Sequence, residues 1–182
     1  MRTKAPRAKS HRVQKWREIE DLYHKLLYWY YDRQDLKKAR QVARQLEGRL
    51  SAATSDRRTI LYKGAWSLVL ECKGDLLGAI KYREEEIGLI KRLLQISLKA
   101  PNPKAILKYY DYADLSDRLD LLAILYHDAG NLEQAHKILR QSKRLCEMHQ
   151  LPFDGQDLLD DYLAEQNGTS QQALRNSQKK AV

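Results

Sequence analysis

The sequence predicts an all-α protein of antiparallel helical hairpins. Three observations carry this. The composition is rich in Leu, Ala, Lys, Arg, Glu and Gln, with only 8 Gly and 4 Pro in 182 residues, and unbranched side chains lose little rotamer freedom in a helix. Apolar residues recur at helical i, i+3, i+4, i+7 steps in six segments, and few stretches alternate as a strand does. One turn motif also recurs between helical runs.

The first helical stripe comprises Trp16, Ile19, Tyr23, Leu26, Leu27 and Tyr30. The second comprises Ala39, Val42, Ala43, Leu46 and Leu50, followed by the break SAATSD. The third helix is expected over about Arg58 to Lys73, the fourth over Asp75 to Lys99. The segment APNPKAILKYYDYADLSD follows, where two prolines stop the helix and a loop with one short helical turn is expected. The fifth and sixth helices are expected over Ser116 to Ala129 and Leu132 to His149, and a short last one near Asp157–Glu165. The tail NGTSQQALRNSQKKAV is polar and expected to be disordered.

Three segments align without gaps: YYDRQDLKKA (30–39), LECKGDLLGA (70–79) and YHDAGNLEQA (126–135). Each has a large residue, then a turn pair (Gln34-Asp35, Gly74-Asp75, Gly130-Asn131), a leucine and an alanine. Gly takes the left-handed conformation that ends a helix. Asp or Asn caps the next one, and Ala lets the two helices approach. Upstream, Tyr23-Leu26-Leu27-Tyr30 and Leu119-Leu122-Ala123-Tyr126 repeat one helix face.

On these residues the chain resembles the tetratricopeptide repeat (TPR) family over about residues 19–149, the best copy being LLAILYHDAGNLEQAHKIL. The resemblance implies about three hairpins stacked as a short α-solenoid. Spacings of 40 (Asp35 to Asp75) and 56 (Asp75 to Asn131) replace the usual ~34, and no proline closes a repeat, so the array is divergent and irregular. An ordinary helical bundle with the same turn chemistry is the alternative.

The net charge of +9 is uneven: Arg2, Lys4, Arg7, Lys9, Arg12, Lys15 and Arg17 face no acid within residues 1–17, leaving +2 for the other 165 residues. The expected organisation is a basic arm (1–18), a helical domain (19–165) and a polar tail (166–182). The arm suits nonspecific phosphate contact through counterion release. It also suits a solubilising leader. It has no interleaved aromatics for base stacking.

No apolar run reaches the ~20 residues needed to span a bilayer, and MRTKAPRAKSHRVQKW has no apolar core of a secretory signal. Cys72 and Cys146 read as free, core-lining thiols. A cytoplasmic location is the default expectation.

Catalytic chemistry is weakly represented. Cys146 and His149 share a helix face at i, i+3, but two ligands do not make a zinc site. No Gly-rich phosphate loop or nucleophile elbow appears. Asp111, Asp114, Asp117 and Asp120 read as a solvated edge and helix caps. A non-enzymatic protein with no metal or cofactor is expected.

The TPR resemblance implies that first helices line a concave groove. Its candidates are His24, Tyr28, Tyr31 and Asp32, then Leu68 and Glu71, then Asp120, Ile124, His127 and Asp128. This aromatic and acidic set would suit an apolar or basic peptide or helix of another protein; a second helix layer or a homodimer mate would also cover it. It lacks the Lys, Arg and Asn with which family members clamp a C-terminal carboxylate. Within YREEEIGLIKRLL, Arg83 and Glu86 fall where core-facing residues belong. Either they pair internally, or the register shifts so that Ile80, Ile87, Ile90 and Leu94 carry the core, or the long helix projects a charged face to a partner. The function expected is a protein-interaction adaptor or regulatory subunit, with a nucleic-acid-associated subunit anchored by the arm as alternative.

Overall fold

Helices make up every regular element of the computed structural model, which describes residues 7–51, 59–101 and 110–165. In chain order they are α1 (Arg7–Leu27), a π-helical turn (Tyr28–Asp32), α2 (Leu36–Ser51), α3 (Thr59–Lys73), α4 (Leu76–Leu98), α5 (Tyr112–Asp128) and α6 (Leu132–His149). A last helix, α7, covers 156–165. The chain divides into two compact units, Met1–Glu86 and Ile87–Val182, with the boundary inside α4. The all-α expectation holds. No described helix is long and apolar enough to cross a membrane. The tail 166–182 and residues 102–109, where a short helical turn was expected, lie outside the described residues.

The turn motif folds as its chemistry requires. Gly74 and Gly130 take positive φ, +81° and +77°, which costs a residue without Cβ little. Asp75 N–H then donates to the Leu70 carbonyl (3.0 Å) and Gly74 N–H to Glu71 (2.9 Å). Asn131 N–H donates to Tyr126 and Gly130 N–H to His127, both at 2.8 Å. Both are Schellman pairings, which satisfy carbonyls the helix end would leave open. The next residue caps the following helix: Gly78 N–H donates to Asp75 Oδ1 (3.0 Å) and Gln134 N–H to Asn131 Oδ1 (3.2 Å).

The first hairpin differs by one residue. Gln34, not glycine, takes the left-handed conformation (φ 50°), and Lys38 N–H donates to Asp35 Oδ1 (3.0 Å). Asp35 N–H reaches back six residues, to the Trp29 carbonyl (2.9 Å), whereas Asp75 and Asn131 reach back five. The π turn holds the extra residue, with Arg33 N–H on the Tyr28 carbonyl (2.9 Å). By hydrogen bonding the counterpart of Leu70 and Tyr126 is therefore Trp29, one position before the Tyr30 of the gap-free alignment.

Unit Met1–Glu86 is built on the predicted stripes. Trp16, Ile19, Tyr23 and Leu26 of α1 pack with Ala39, Val42, Ala43, Leu46 and Leu50 of α2 and with Ala65, Leu68, Val69 and Cys72 of α3. Each fully buried leucine contributes about 1.5–3 kcal/mol. The α3–α4 hairpin closes through Ser67 Oγ, which donates to the Ala79 carbonyl (2.8 Å), and a Trp66–Tyr82 stack. In unit Ile87–Val182, Ala123 of α5 and Ala135 and Leu139 of α6 form a core with Leu159 and Tyr162 of α7. Ser116 and Ser142 bridge α5 and α6 at 2.7 Å, with Cys146 Sγ at 3.0 Å from Ser116. Helix α5 starts one turn earlier than periodicity indicated, because Asp111 and Asp114 form a reciprocal capping box.

Replacing the cap by Asn131→Ala is expected to lower stability by about 1 kcal/mol, read as a lower urea midpoint at constant slope. An unchanged midpoint would mean that the cap is dispensable.

Candidate functional site

The four aromatics 28–31 do not fan out around an α-helix, because the π turn re-spaces them. Trp29, Tyr30 and Tyr31 all pack partly buried against the core of their unit. Tyr28 alone is exposed, at 38%. Its hydroxyl accepts from Arg33 Nε (2.6 Å), and its ring meets Trp29 edge-on. Lys38 Nζ sits 4.1 Å from the Trp29 ring centroid, a cation–π contact.

Tyr31 turns inward. Its hydroxyl donates to the Glu71 carboxylate at 2.7 and 2.8 Å, and Glu71 is buried. Burial, then the Glu71 charge, holds the phenol well above its ordinary pKa of 10.0, so the hydroxyl stays a donor. Leu68 is fully buried in the same core. Of the six groove candidates in this unit, Leu68 and Glu71 are therefore interior, Tyr31 is half-buried with its hydroxyl on Glu71, and His24, Tyr28 and Asp32 remain at the surface.

The charged face expected on the long helix is not a face. Arg83 is completely buried and Glu86 is 2% exposed, and they pair at 2.5 Å. Internal pairing is found, and Ile80, Ile87, Ile90 and Leu94 are buried on the same helix as the register alternative expected; no charged face is left by this pair. Burial by itself would pull the guanidinium down; the Glu86 carboxylate overrides it, and Arg83 stays above its ordinary range. Gly64 makes room for the pair: a Cβ there would lie 2.7 Å from the Glu86 carboxylate carbon.

In unit Ile87–Val182 the remaining candidates take up fold contacts. Burial pushes the Asp120 carboxyl up to about 6. Ile124 is half-buried and Asp128 exposed. The His127 ring stacks on Tyr162 of α7 (centroids 4.1 Å apart, 6° between planes), with Nε2 3.0 Å from Glu165 and Nδ1 3.4 Å from Asp128. His127 is thus a clamp on α7.

The basic residues Arg7, Lys9, Arg12, Lys15 and Arg17 fall within helix α1; Arg2 and Lys4 lie outside the described residues. Among the described residues, no group of three or more His, Cys, Asp or Glu could hold a metal ion.

A surface that the sequence did not single out lies in unit Ile87–Val182. It is an open groove of about 700 Å³ along α6, with Lys91 and residues of α5. Its apolar lining is Leu115 and Leu119, both buried, with half-buried Leu145 and exposed Met148; buried His136 and exposed Gln141 lie beside them, and the rim carries Lys91, Lys137, Arg140 and Arg144 against one acid, Glu133. Met148 is 71% exposed. The signal was present in the helix register. Ala135, Leu139, Ser142 and Cys146 mark the buried stripe of α6, while Lys137, Arg140 and Arg144 with Leu145 and Met148 lie off it. Comparison of the chain with protein-family models, with curated proteins and with solved structures finds no match.

Two outcomes follow. Arg83→Met is expected to cost about 3–5 kcal/mol, because it strands a buried carboxylate, and Arg83→Met with Glu86→Leu should recover most of that loss. Urea unfolding of both variants measures this; equal losses would mean that the pair is not coupled. For His127, burial lowers the pKa, but hydrogen bonds to Glu165 and Asp128 outweigh it and raise it above 6.5. Its contribution is therefore fully present below the unfolded value of about 6.5 and is lost as pH rises through the higher folded value. Amide exchange in 156–165 should be slower at pH 6 than at pH 8, beyond the intrinsic pH effect, and His127→Gln should remove the difference.

Proposed function

We propose that the chain is a non-enzymatic protein-interaction module, an adaptor or regulatory subunit that binds a peptide or helix of another protein. The observation that carries this is the groove along α6, where Met148 and part of Leu145 are left uncovered beside a charged rim. An exposed apolar strip rimmed by polar groups is the usual mark of a protein-binding surface. The likeness of three hairpin turns to tetratricopeptide repeats supports the same reading, since such repeats present helices to peptides.

Its reactive side chains support a role without catalysis. Burial, with a small addition from Glu71, pushes the Cys72 thiol up to about 12, so it is a poor nucleophile. Glu71, Arg83 and Glu86 are committed to internal contacts, and His127 is committed to α7. In the tyrosine-rich turn, Tyr28 is the aromatic groove candidate left exposed to meet a partner.

A second reading keeps the run of seven basic residues without an acid in 1–17 as a phosphate-binding element of a nucleic-acid-associated subunit. Affinity capture of the tagged chain with mass spectrometry, with and without nuclease, separates the two. The module reading expects protein partners that survive nuclease and are depleted by Met148→Asp or Tyr28→Ala. Recovery that vanishes with nuclease, or on deleting residues 1–17 alone, would favour the nucleic-acid reading.

A further inference from the structure

Helix α6 carries two kinds of surface. Its buried stripe includes Ala135, Leu139, Ser142 and Cys146. Its groove side sets Lys137, Arg140 and Arg144 at i, i+3 and i+7, one above the other on the helix. Among the described residues, no carboxylate pairs with these three side chains or with Lys91. Beside them in the same groove lie half-buried Leu145 and exposed Met148. Two needs are thus left unmet on one strip, charge neutralisation and cover for the apolar surface of Leu145 and Met148. A ligand that meets both has carboxylates along one edge and apolar side chains along the other.

We propose that this groove docks an acidic amphipathic helix of a partner protein, with its carboxylates against Lys137, Arg140 and Arg144 and its apolar edge on Leu145 and Met148. The proposal rests on the interaction-module reading and names the chemistry of the partner. From Glu133 to Met148 the groove follows 15 steps of α6, about 22 Å, which matches roughly four helical turns. Methionine at the edge adapts to varied apolar partners.

Charge complementarity excludes the chain's own remaining segments. Those outside the described residues hold Arg2, Lys4, Arg57, Arg58, Lys104, Lys108, Arg175, Lys179 and Lys180 against one acid, Asp56. They would be repelled by the rim. Nucleic acid matches the charge but not the apolar surface: the groove lining contains no Phe, Tyr or Trp, and single strands bind through stacking on such rings. The same unit already packs one helix of the proposed type. Over 156–165, Leu159 and Tyr162 are buried while Asp157, Asp160, Asp161 and Glu165 are exposed.

The test is fluorescence anisotropy with the full chain and a labelled peptide of about 16 residues, with Leu at i, i+3, i+4 and i+7 and Glu on the opposite faces. Controls are the same peptide with Gln for Glu and an oligothymidylate of similar length. The acidic peptide is expected to bind at least about ten-fold more tightly than the Gln peptide. Arg140→Glu with Arg144→Glu should weaken it about ten-fold or more, as should raising salt, and Met148→Asp should weaken it at constant charge on the basic rim. These surface changes should leave the circular dichroism unchanged. The proposal is overturned if the Gln peptide binds equally, if the charge-reversal variant binds as the parent does, or if the oligothymidylate displaces the peptide. Light scattering that shows a concentration-dependent dimer, lost in the charge-reversal variant, would instead assign the groove to a second copy. Nuclease-resistant partners that ignore Arg140 and Arg144 would overturn this inference and leave the module reading standing; no partner at all would overturn both.

Discussion

Every helix end leaves backbone groups without partners, and a chain of short helices meets this constraint at each turn. Here one solution recurs. A residue in left-handed conformation closes the C-terminus, and an Asp or Asn beside it opens the next helix. Gly74-Asp75 and Gly130-Asn131 do this with the same hydrogen bonds. Gln34-Asp35 does it with one more residue in the preceding turn. Because the turn is short, the two helices must lie antiparallel and close, which is why Ala39, Ala79 and Ala135 follow at the same offset and are fully buried. The hairpins, and hence the cores they enclose, depend on this local closure.

The extra residue of the first turn has consequences beyond the backbone. In an α-helix Tyr28 and Tyr31 would share a face. The π turn separates them, leaving Tyr28 at the surface and sending the Tyr31 hydroxyl to Glu71. Glu71 and the neighbouring Arg83–Glu86 pair make the interior of this unit unusually polar. Such pairs seldom add stability over apolar residues of similar volume, yet breaking one is costly. Gly64 of α3 is the place where the pair of α4 fits.

In the other unit the polar groups divide differently. Ser116, Ser142 and Cys146 join α5 to α6 inside, and His127 holds α7. The cationic side chains of α6 stay outside, beside Leu145 and Met148. A helix whose inner stripe is already satisfied has no structural need for an ordered row of Lys137, Arg140 and Arg144, and this makes the row more informative about function than the buried acids of the first unit.

The sequence by itself determined the local structure. Helical periodicity placed the core stripes of α1 and α2, and the turn pairs placed the hairpins, because both depend on residues within a few positions of one another. It left Arg83 and Glu86 undecided, since pairing and exposure look alike without the neighbour that supplies Gly64. It grouped Tyr31 with Tyr28, since a one-residue π insertion has no composition signature. Its groove candidates came from the register of a resembled family; Leu68 and Glu71 prove interior and Tyr31 half-buried. Only tertiary structure decided which polar side chains are consumed inside and which helix face is left over. Burial belongs to the packed neighbours, and those come from distant parts of the chain.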